Sequence, residues 1–409
     1  MKILHVHKYY HARDGAGRYM IDLMRLQEGA GHVTAPFAMH DPRNLPSVWD
    51  KYFVSALDTS NVASGLGALK QFARAWWSRE AGKKMEAVLD DFKPDIVHAH
   101  NVYTHLSPSV LAVCRKRGIP VVMTLHDYGL IGADYTMQNG RGEPRPYGAG
   151  IMTVAGSRFV KGSYLATLAL EGITRTQRAL RMFDKSIAKY ITLSAFVKEV
   201  YSAHGFSAGK MVVIPPAVDE QLLHAKMATE RENAVLFASR LEGYKGIETY
   251  LQASALQPDV TFYVAGTGPM EREVEAFAKI HKNLMYLGFM DQEALWHKMA
   301  HVRAVVVPSL WNEPFGLVAI QSLALGTPII VSDRGALPEI VKASNAGVIF
   351  PAGDEQVLAV QIAAACEGGE ASLARTADLG SRGQAYVRAH HAPKEFLESV
   401  MKIYADSVC

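Results

Sequence analysis

The chain is poor in cysteine. Its three, Cys114, Cys366 and Cys409, lie far apart in 409 residues with no CxxC pair. That spacing gives neither a disulfide framework nor a thiolate zinc site, and it suits a reducing cytosol. Long apolar runs are also missing. The longest candidate, Leu317 to Val331, is broken by Gln321, Gly326 and Pro328, short of the roughly 20 apolar residues that a membrane-spanning helix needs. The opening MKILHVH is too short and too polar for a secretory signal. Short repeats and low-complexity tracts are absent. Net charge is only +3, and no nucleic-acid-binding module is visible, so no nucleic-acid partner is expected.

What charge there is has an uneven distribution. Residues 1–190 hold 25 Lys and Arg against 16 Asp and Glu, and the remaining residues hold 18 against 24. A basic half beside an acidic one suits an anionic surface or substrate near the first half, or ordinary solvated charge. The length fits two domains of about 200 residues each, and an apolar content of 49% lets each bury a core.

Both halves alternate short apolar runs with amphipathic ones. In the first, residues 3–6, 96–98, 121–125 and 190–193 read as strands, with helices over 18–30, 68–92 and 107–117. In the second, strands at 234–238, 261–265, 285–287, 304–307 and 328–331 alternate with helices at 246–256, 269–281, 291–300, 316–325 and 354–366. This rhythm predicts an α/β fold of two doubly wound domains with parallel sheets covered on both faces. Their expected extents are residues 1–217 and 233–389, joined by a linker around 217–233. In such sheets ligands bind beyond the carboxyl ends of the strands, so chemistry is expected directly after strands.

Three strand exits in the second half carry it. The first, Ser239-Arg240-Leu241-Glu242-Gly243-Tyr244-Lys245-Gly246, sets two cations five residues apart before a helix, able to neutralise a diphosphate. Taken alone, it reads equally as a solvated loop. The second, Gly266-Thr267-Gly268-Pro269, allows close backbone approach or is a plain tight turn. It is not a dinucleotide fingerprint. The third, Pro308-Ser309-Leu310-Trp311-Asn312-Glu313-Pro314-Phe315-Gly316, opens a helix whose first N–H groups suit phosphate. Glu313 at that mouth accepts from hydroxyls or caps the helix. Gln321 is read as lying on the helix about two turns further in.

The run EPFGLVAIQSLALGTPIIVSDRGALPEIV resembles the signature of family-4 retaining glycosyltransferases of the GT-B fold. The Arg/Lys loop, the GTGP turn and Leu287-Gly288-Phe289 occur in that family in the same order. The resemblance covers the second half well and the first more loosely. It implies two Rossmann-like domains facing across a cleft, with a C-terminal helix of about 390–409 packing back on the first. Arg240 and Lys245 would neutralise the donor diphosphate and Glu313 would hold sugar hydroxyls. Gly266, Gly268, Phe289, Phe315, Gly316 and Leu317 would line the donor. The second Glu of the family's E-x7-E motif, which binds ribose, is Gln321 here. That change removes the charge but keeps one donor and one acceptor. In the first half His126, at the exit of strand 121–125, resembles the family's active-site His near the reacting carbon. Asp127 beside it is read as orienting His126 or binding the acceptor. Asp14-Gly15 resembles the family's Gly-Gly loop. Only Gly15 is carried over, because Asp14 suits a phosphate site only if it points away.

The activity so implied is retaining transfer from a UDP- or GDP-sugar to a glycan or lipid-linked acceptor, in cell-surface polysaccharide or glycolipid synthesis. No metal or other cofactor is expected. The basic stretches Lys70–Lys84, with Arg74, Trp76, Trp77, Arg79 and Lys83, and Arg158–Lys189, with Lys161, Arg175, Arg178, Arg181 and Lys185, read as solvated helices or as peripheral contacts with an anionic membrane. A cytoplasmic location follows, on the membrane's inner face in the second case. Two other readings stay open: a sugar-nucleotide epimerase on the same fold, and a weakly catalytic binding subunit of a polysaccharide assembly, motivated by Asp14 and Gln321.

Overall fold

The computed structural model describes residues 1–12, 14–56, 66–138, 145, 148–160 and 162–408. The chain folds as two units. One runs from Met1 to Ile214 and takes in Phe396 to the C-terminal end; the other is Pro215–Glu395. Each is built around one six-stranded sheet.

In the first unit β1 (Lys2–Val6), β2 (Val33–Phe37), β3 (Ile96–His100), β4 (Val121–Leu125), β5 (Lys189–Thr192) and β6 (Met211–Val213) lie in the order β2-β1-β3-β4-β5-β6. Every pairing is parallel. β3 and β4 are buried at every residue, as expected when helices cover both faces of a parallel sheet. The second unit repeats the plan with β7 (Glu232–Ala238), β8 (Thr261–Ala265), β9 (Leu284–Gly288), β10 (Val302–Val307), β11 (Ile329–Ser332) and β12 (Gly347–Phe350), ordered β12-β11-β10-β7-β8-β9. All five pairings are again parallel. Its core is the layer of Val235, Phe237, Phe262, Val264, Ala304 and Val306 under Tyr250, Leu358 and Ile362.

Each sheet changes winding direction once, between β1 and β3 and between β7 and β10. Such switch points leave a crevice at the strands' carboxyl ends because the flanking connections depart to opposite sides. The Arg/Lys loop leaves β7 and the Glu313 loop leaves β10, so the second switch point juxtaposes them.

Several sequence boundaries shift. The helix expected over 68–92 is two, Leu66–Trp76 and Arg79–Phe92. The second is capped by the Ser78 hydroxyl, which accepts from the Ala81 N–H at 3.2 Å, a strong helix start. Strands β2, β6 and β12 were missed because β2 carries Pro36, β6 has three residues and β12 is mostly only part-buried, so none gives a clean apolar run. Residues 217–233 are not a loose linker. They carry the short helix Glu220–Leu223 and bury Leu222, and Arg231 holds four acceptors in the second unit. The last helix, Pro393–Val408, gives Phe396, Ile403 and Tyr404 to the first unit's interior. No described helix is long and apolar enough to cross a membrane.

Candidate active site

At the β7/β10 switch point Lys245 Nζ donates to Glu313 Oε1 at 2.7 Å. The Ser309 hydroxyl donates to the same oxygen at 2.7 Å. Both ion-pair partners are largely buried, with side chains 17% and 11% exposed. The ammonium also sits 4.7 Å from the Trp311 ring centre and 5.6 Å from that of Tyr244, a cation–π setting that fixes its direction. The backbone enforces this geometry. The Leu310 N–H donates to Tyr244 O at 2.9 Å, and the Ala336 N–H to Glu313 O at 2.8 Å. Gly246 closes the cation loop at φ +76°, where an added Cβ would fall on the carbonyl oxygen of Pro308. Only glycine lets the two loops approach so closely. The whole forms a polar knot in which Glu313 keeps Oε2 for a further donor.

Arg240 stands apart. Its side chain is 60% exposed and pairs with Glu242, so an arriving anion competes with that carboxylate. The glycine turn is stitched to the same loop: the Ser239 N–H donates to Ala265 O at 3.1 Å and the Leu241 N–H to Thr267 O at 3.0 Å. Gly266 (φ +133°) and Gly268 lie against the backbones of Ser239 and Leu241. Gly316, at φ +118°, opens the helix Leu317–Ala324 with no side-chain cap, which leaves its first N–H groups outside the helical ladder. Phe315 is buried with its ring 5.5 Å from His391, and Leu317 is half-buried. Phe289 is 79% exposed after Gly288. Gln321 lies just over one turn inside the helix rather than two, because residues 313–316 form an irregular loop and the helix begins at Leu317.

In the first unit His126 follows β4, partly exposed, with the Tyr19 ring edge-on at 4.9 Å. Its Nε2 meets His100 Nδ1 at 3.0 Å, His100 Nε2 meets His5 Nδ1 at 3.3 Å, and His5 Nε2 meets Gln27 Oε1 at 2.7 Å. Burial pushes His5 down to about 4 and His126 to about 3, and lowers His100 well below the ordinary value, so the chain is neutral at pH 7. One proton direction then satisfies it. Gln27 Nε2 donates to the Tyr404 hydroxyl at 3.1 Å, which makes Oε1 the acceptor for His5 Nε2–H. His5 Nδ1 accepts from His100 Nε2–H, and His100 Nδ1 accepts from His126 Nε2–H. His126 is left with its lone pair on Nδ1. The Tyr404 hydroxyl donates to His98 Nδ1 at 2.6 Å, and His98 Nε2 donates to Thr124 at 2.7 Å.

His5, His98 and His100 bring a nitrogen each within 4.8 Å of one another, the one such set with metal-ligating chemistry among the described residues. All their ring nitrogens already have partners, so a cation would have to displace the relay. The relay was missed in the sequence, although two His-x-His runs on adjacent strands, with His5 in register with His98, were its visible signal. Asp127 does not orient His126. Its carboxylate accepts from Gly129 N–H at 2.9 Å and from Asn101 Nδ2 at 3.2 Å. Consecutive residues leaving a strand point to opposite sides, which separates the two.

Gly15 starts the helix Gly15–Gly29 and Asp14 caps it, accepting from the Gly17 N–H at 2.7 Å and lying 3.4 Å from Lys8 Nζ. The Asp14 carboxylate thus occupies the helix mouth that a phosphate would use. Many cations of the two basic stretches are engaged inside the unit. Arg74 bonds Ser55, Arg175 pairs with Glu171, Arg178 donates to Ile131 O and Arg181 pairs with Asp184. Trp77 is 41% exposed. Lys161 lies outside the described residues.

Two sequence families match the chain: Glycosyltransferase Family 4 over residues 13–222 and Glycosyl transferases group 1 over residues 219–381. Among curated relatives, the glycogen synthase of Mycobacterium tuberculosis is 25% identical over 360 residues, 84% of this chain and 77% of its own. An uncharacterised glycosyltransferase of Methanocaldococcus jannaschii is 24% identical over 297 residues, 69% of each chain. Among solved structures, sucrose-phosphate synthase of Thermosynechococcus elongatus aligns with a TM-score of 0.71 at 20% identity, covering 99% of this chain and 98% of that one. HepE of Anabaena in complex with UDP aligns at 0.70 and 17% identity, covering 99% and 100%. Both likenesses establish a GT-B-type α/β fold.

Proposed function

The chain belongs to glycosyltransferase family 4, with a second half of the glycosyl transferases group 1 type, and from that membership we propose that it transfers a sugar from a UDP- or GDP-sugar to a glycan or lipid-linked acceptor with retention. The observation that carries the reading is the Lys245–Glu313–Ser309 knot beside the uncapped helix at Gly316. A second support is that solved structures of the same fold hold UDP and UDP-glucose.

As the glycosidic bond stretches, negative charge grows on the leaving diphosphate. Lys245, Arg240 and the helix N-terminus supply fixed positive counter-charge there. Glu313 Oε2 accepts from a sugar hydroxyl while Oε1 holds Lys245 in place. His126 Nδ1, its other nitrogen engaged by His100, is an acceptor that the first unit offers to a substrate hydroxyl. The departing phosphate oxygen takes the acceptor's proton as the acceptor attacks the same face. Gln321 and Phe289 serve the nucleoside, the first as a neutral hydrogen-bonding partner and the second as a stacking surface for the base. A role in polysaccharide or glycolipid synthesis belongs to the same proposal, with Trp77, Lys70, Arg79 and Lys83 as the peripheral contact with an anionic membrane.

A thermal-shift series with UDP-, GDP- and ADP-sugars, followed by a transfer assay with the stabilising donor, tests it. Lys245→Ala and Arg240→Ala are each expected to lower turnover at least about tenfold. Lys245→Ala is the more damaging because it also frees buried Glu313. Near-normal turnover in both variants overturns the reading.

A further inference from the structure

Arg303 is the second residue of β10, 9% exposed, and its Nε and Nη1 have no hydrogen-bond partner. Unpaired guanidinium N–H groups in an interior are costly, and where they persist a water, an ion or a function accounts for them. Its neighbour Arg231 makes the contrast. That guanidinium donates to Ala300 O, Val302 O, Gly326 O and the Thr327 hydroxyl at 2.6–2.9 Å. Burial, together with the positive charge of Arg303, holds Arg231 down to about 10. Two cations therefore share one region, and one of them has spent none of these donors.

Arg303 lines a cavity, open to solvent, whose other polar walls are Gln361, Ser372, Arg375 and Thr376; none of its lining side chains is acidic. Ser372, Arg375 and Thr376 lie on the first two turns of the helix Glu370–His390, whose N-cap is Gly369 with no side-chain cap. Ser372 brings the first turn of that helix, with the positive end of its dipole, to the cavity wall, and Glu370, its first residue, is not among the lining residues. The first residues of β11 and β12 complete the wall. All of this is at the amino ends of the strands. Arg303 and Ser309 are six residues apart along an extended strand, roughly 20 Å, so the cavity is separate from the loops around Lys245 and Glu313.

We infer that this cavity binds a small phosphate-bearing anion, held by Arg303 and Arg375 with the Ser372 hydroxyl and the first turn of the helix Glu370–His390. Arg303 has two unspent N–H donors, on Nε and Nη1, to give to the oxygens of an anion. A tetrahedral dianion has further oxygens for Arg375 and Ser372, which a carboxylate lacks.

The test is calorimetric titration of the full chain carrying Arg240→Ala and Lys245→Ala, in which the cation loop no longer holds phosphate. Inorganic phosphate is the titrant, at fixed ionic strength so that screening stays constant. Saturable binding is expected, with affinity falling at least tenfold on adding Arg303→Met and severalfold on adding Arg375→Ala. Arg375 is exposed, so its variant keeps the test decisive if Arg303→Met does not fold. Glycerol 3-phosphate in a parallel titration separates two sources: equal affinity assigns the site to the free ion, tighter binding to a phosphorylated metabolite. Absence of phosphate binding, or binding that neither substitution weakens, overturns the inference.

Discussion

At the residue scale the deciding feature of the first unit is a set of histidines held neutral. His5 and His7 are pushed down to about 4 and His126 to about 3, in each case chiefly by burial. The unfolded chain, with ordinary values near 6.5, therefore binds more protons than the folded chain as pH falls below about 6.5. Folding free energy is fully present above that pH, drops through the window and levels off near pH 3 to 4 as far as these groups are concerned. His5 and His7, whose rings are fully buried, each contribute on the order of 3 kcal/mol across the full window. The urea midpoint is expected to decline between pH 7 and pH 5, where ordinary carboxylates are still ionised, and His5→Gln is expected to flatten that decline. A midpoint that stays level over those two units would contradict the neutral relay. Lys245 and Glu313 were legible from sequence because each follows a strand in a recognisable motif. Ser309 and Glu242 were not singled out, because only the loop conformation decides which oxygen a hydroxyl reaches and which carboxylate meets Arg240.

At the scale of elements, loops and short helices hold the candidate site and glycines set their approach. Gly266 sits at φ +133°, with no room for a Cβ against Ser239. Strain of this kind costs about 1–3 kcal/mol before any clash is counted. Gly266→Ala is expected to destabilise the chain by at least that amount and to weaken donor binding, as read by chemical denaturation and by the donor-induced rise in melting temperature. Unchanged values in both would show that the turn after β8 is a plain connection. The strands of the second unit were readable because buried parallel strands are continuous apolar runs. The gap between the helices Leu66–Trp76 and Arg79–Phe92 was not, since the amphipathic pattern carries through the break and only the capping bond of Ser78 marks it.

At the scale of the whole molecule the chain is two units, and the first needs the chain's last residues. Phe396, Val400, Ile403 and Tyr404 are buried, and Tyr404 bonds both His98 and Gln27. A chain ending at Glu395 loses this apolar area, and His98 and Gln27 each lose a buried partner at about 1–3 kcal/mol. Hydrogen exchange is expected to speed up in β1, β3 and β4 while β7, β8 and β10 keep their protection. Equal protection in both sheets would show that the last helix is dispensable. The sequence by itself determined two parallel α/β units, the family and the strand exits that carry the cations and Glu313, because periodicity and short motifs are local properties. Only the tertiary structure decided that His126 is oriented by a relay starting at Gln27, that Asp14 closes its own helix mouth, and that Arg303 keeps unpaired donors beside a cavity. Each of these depends on which residues from distant elements share one low-dielectric space, and spacing along the chain carries no information about that.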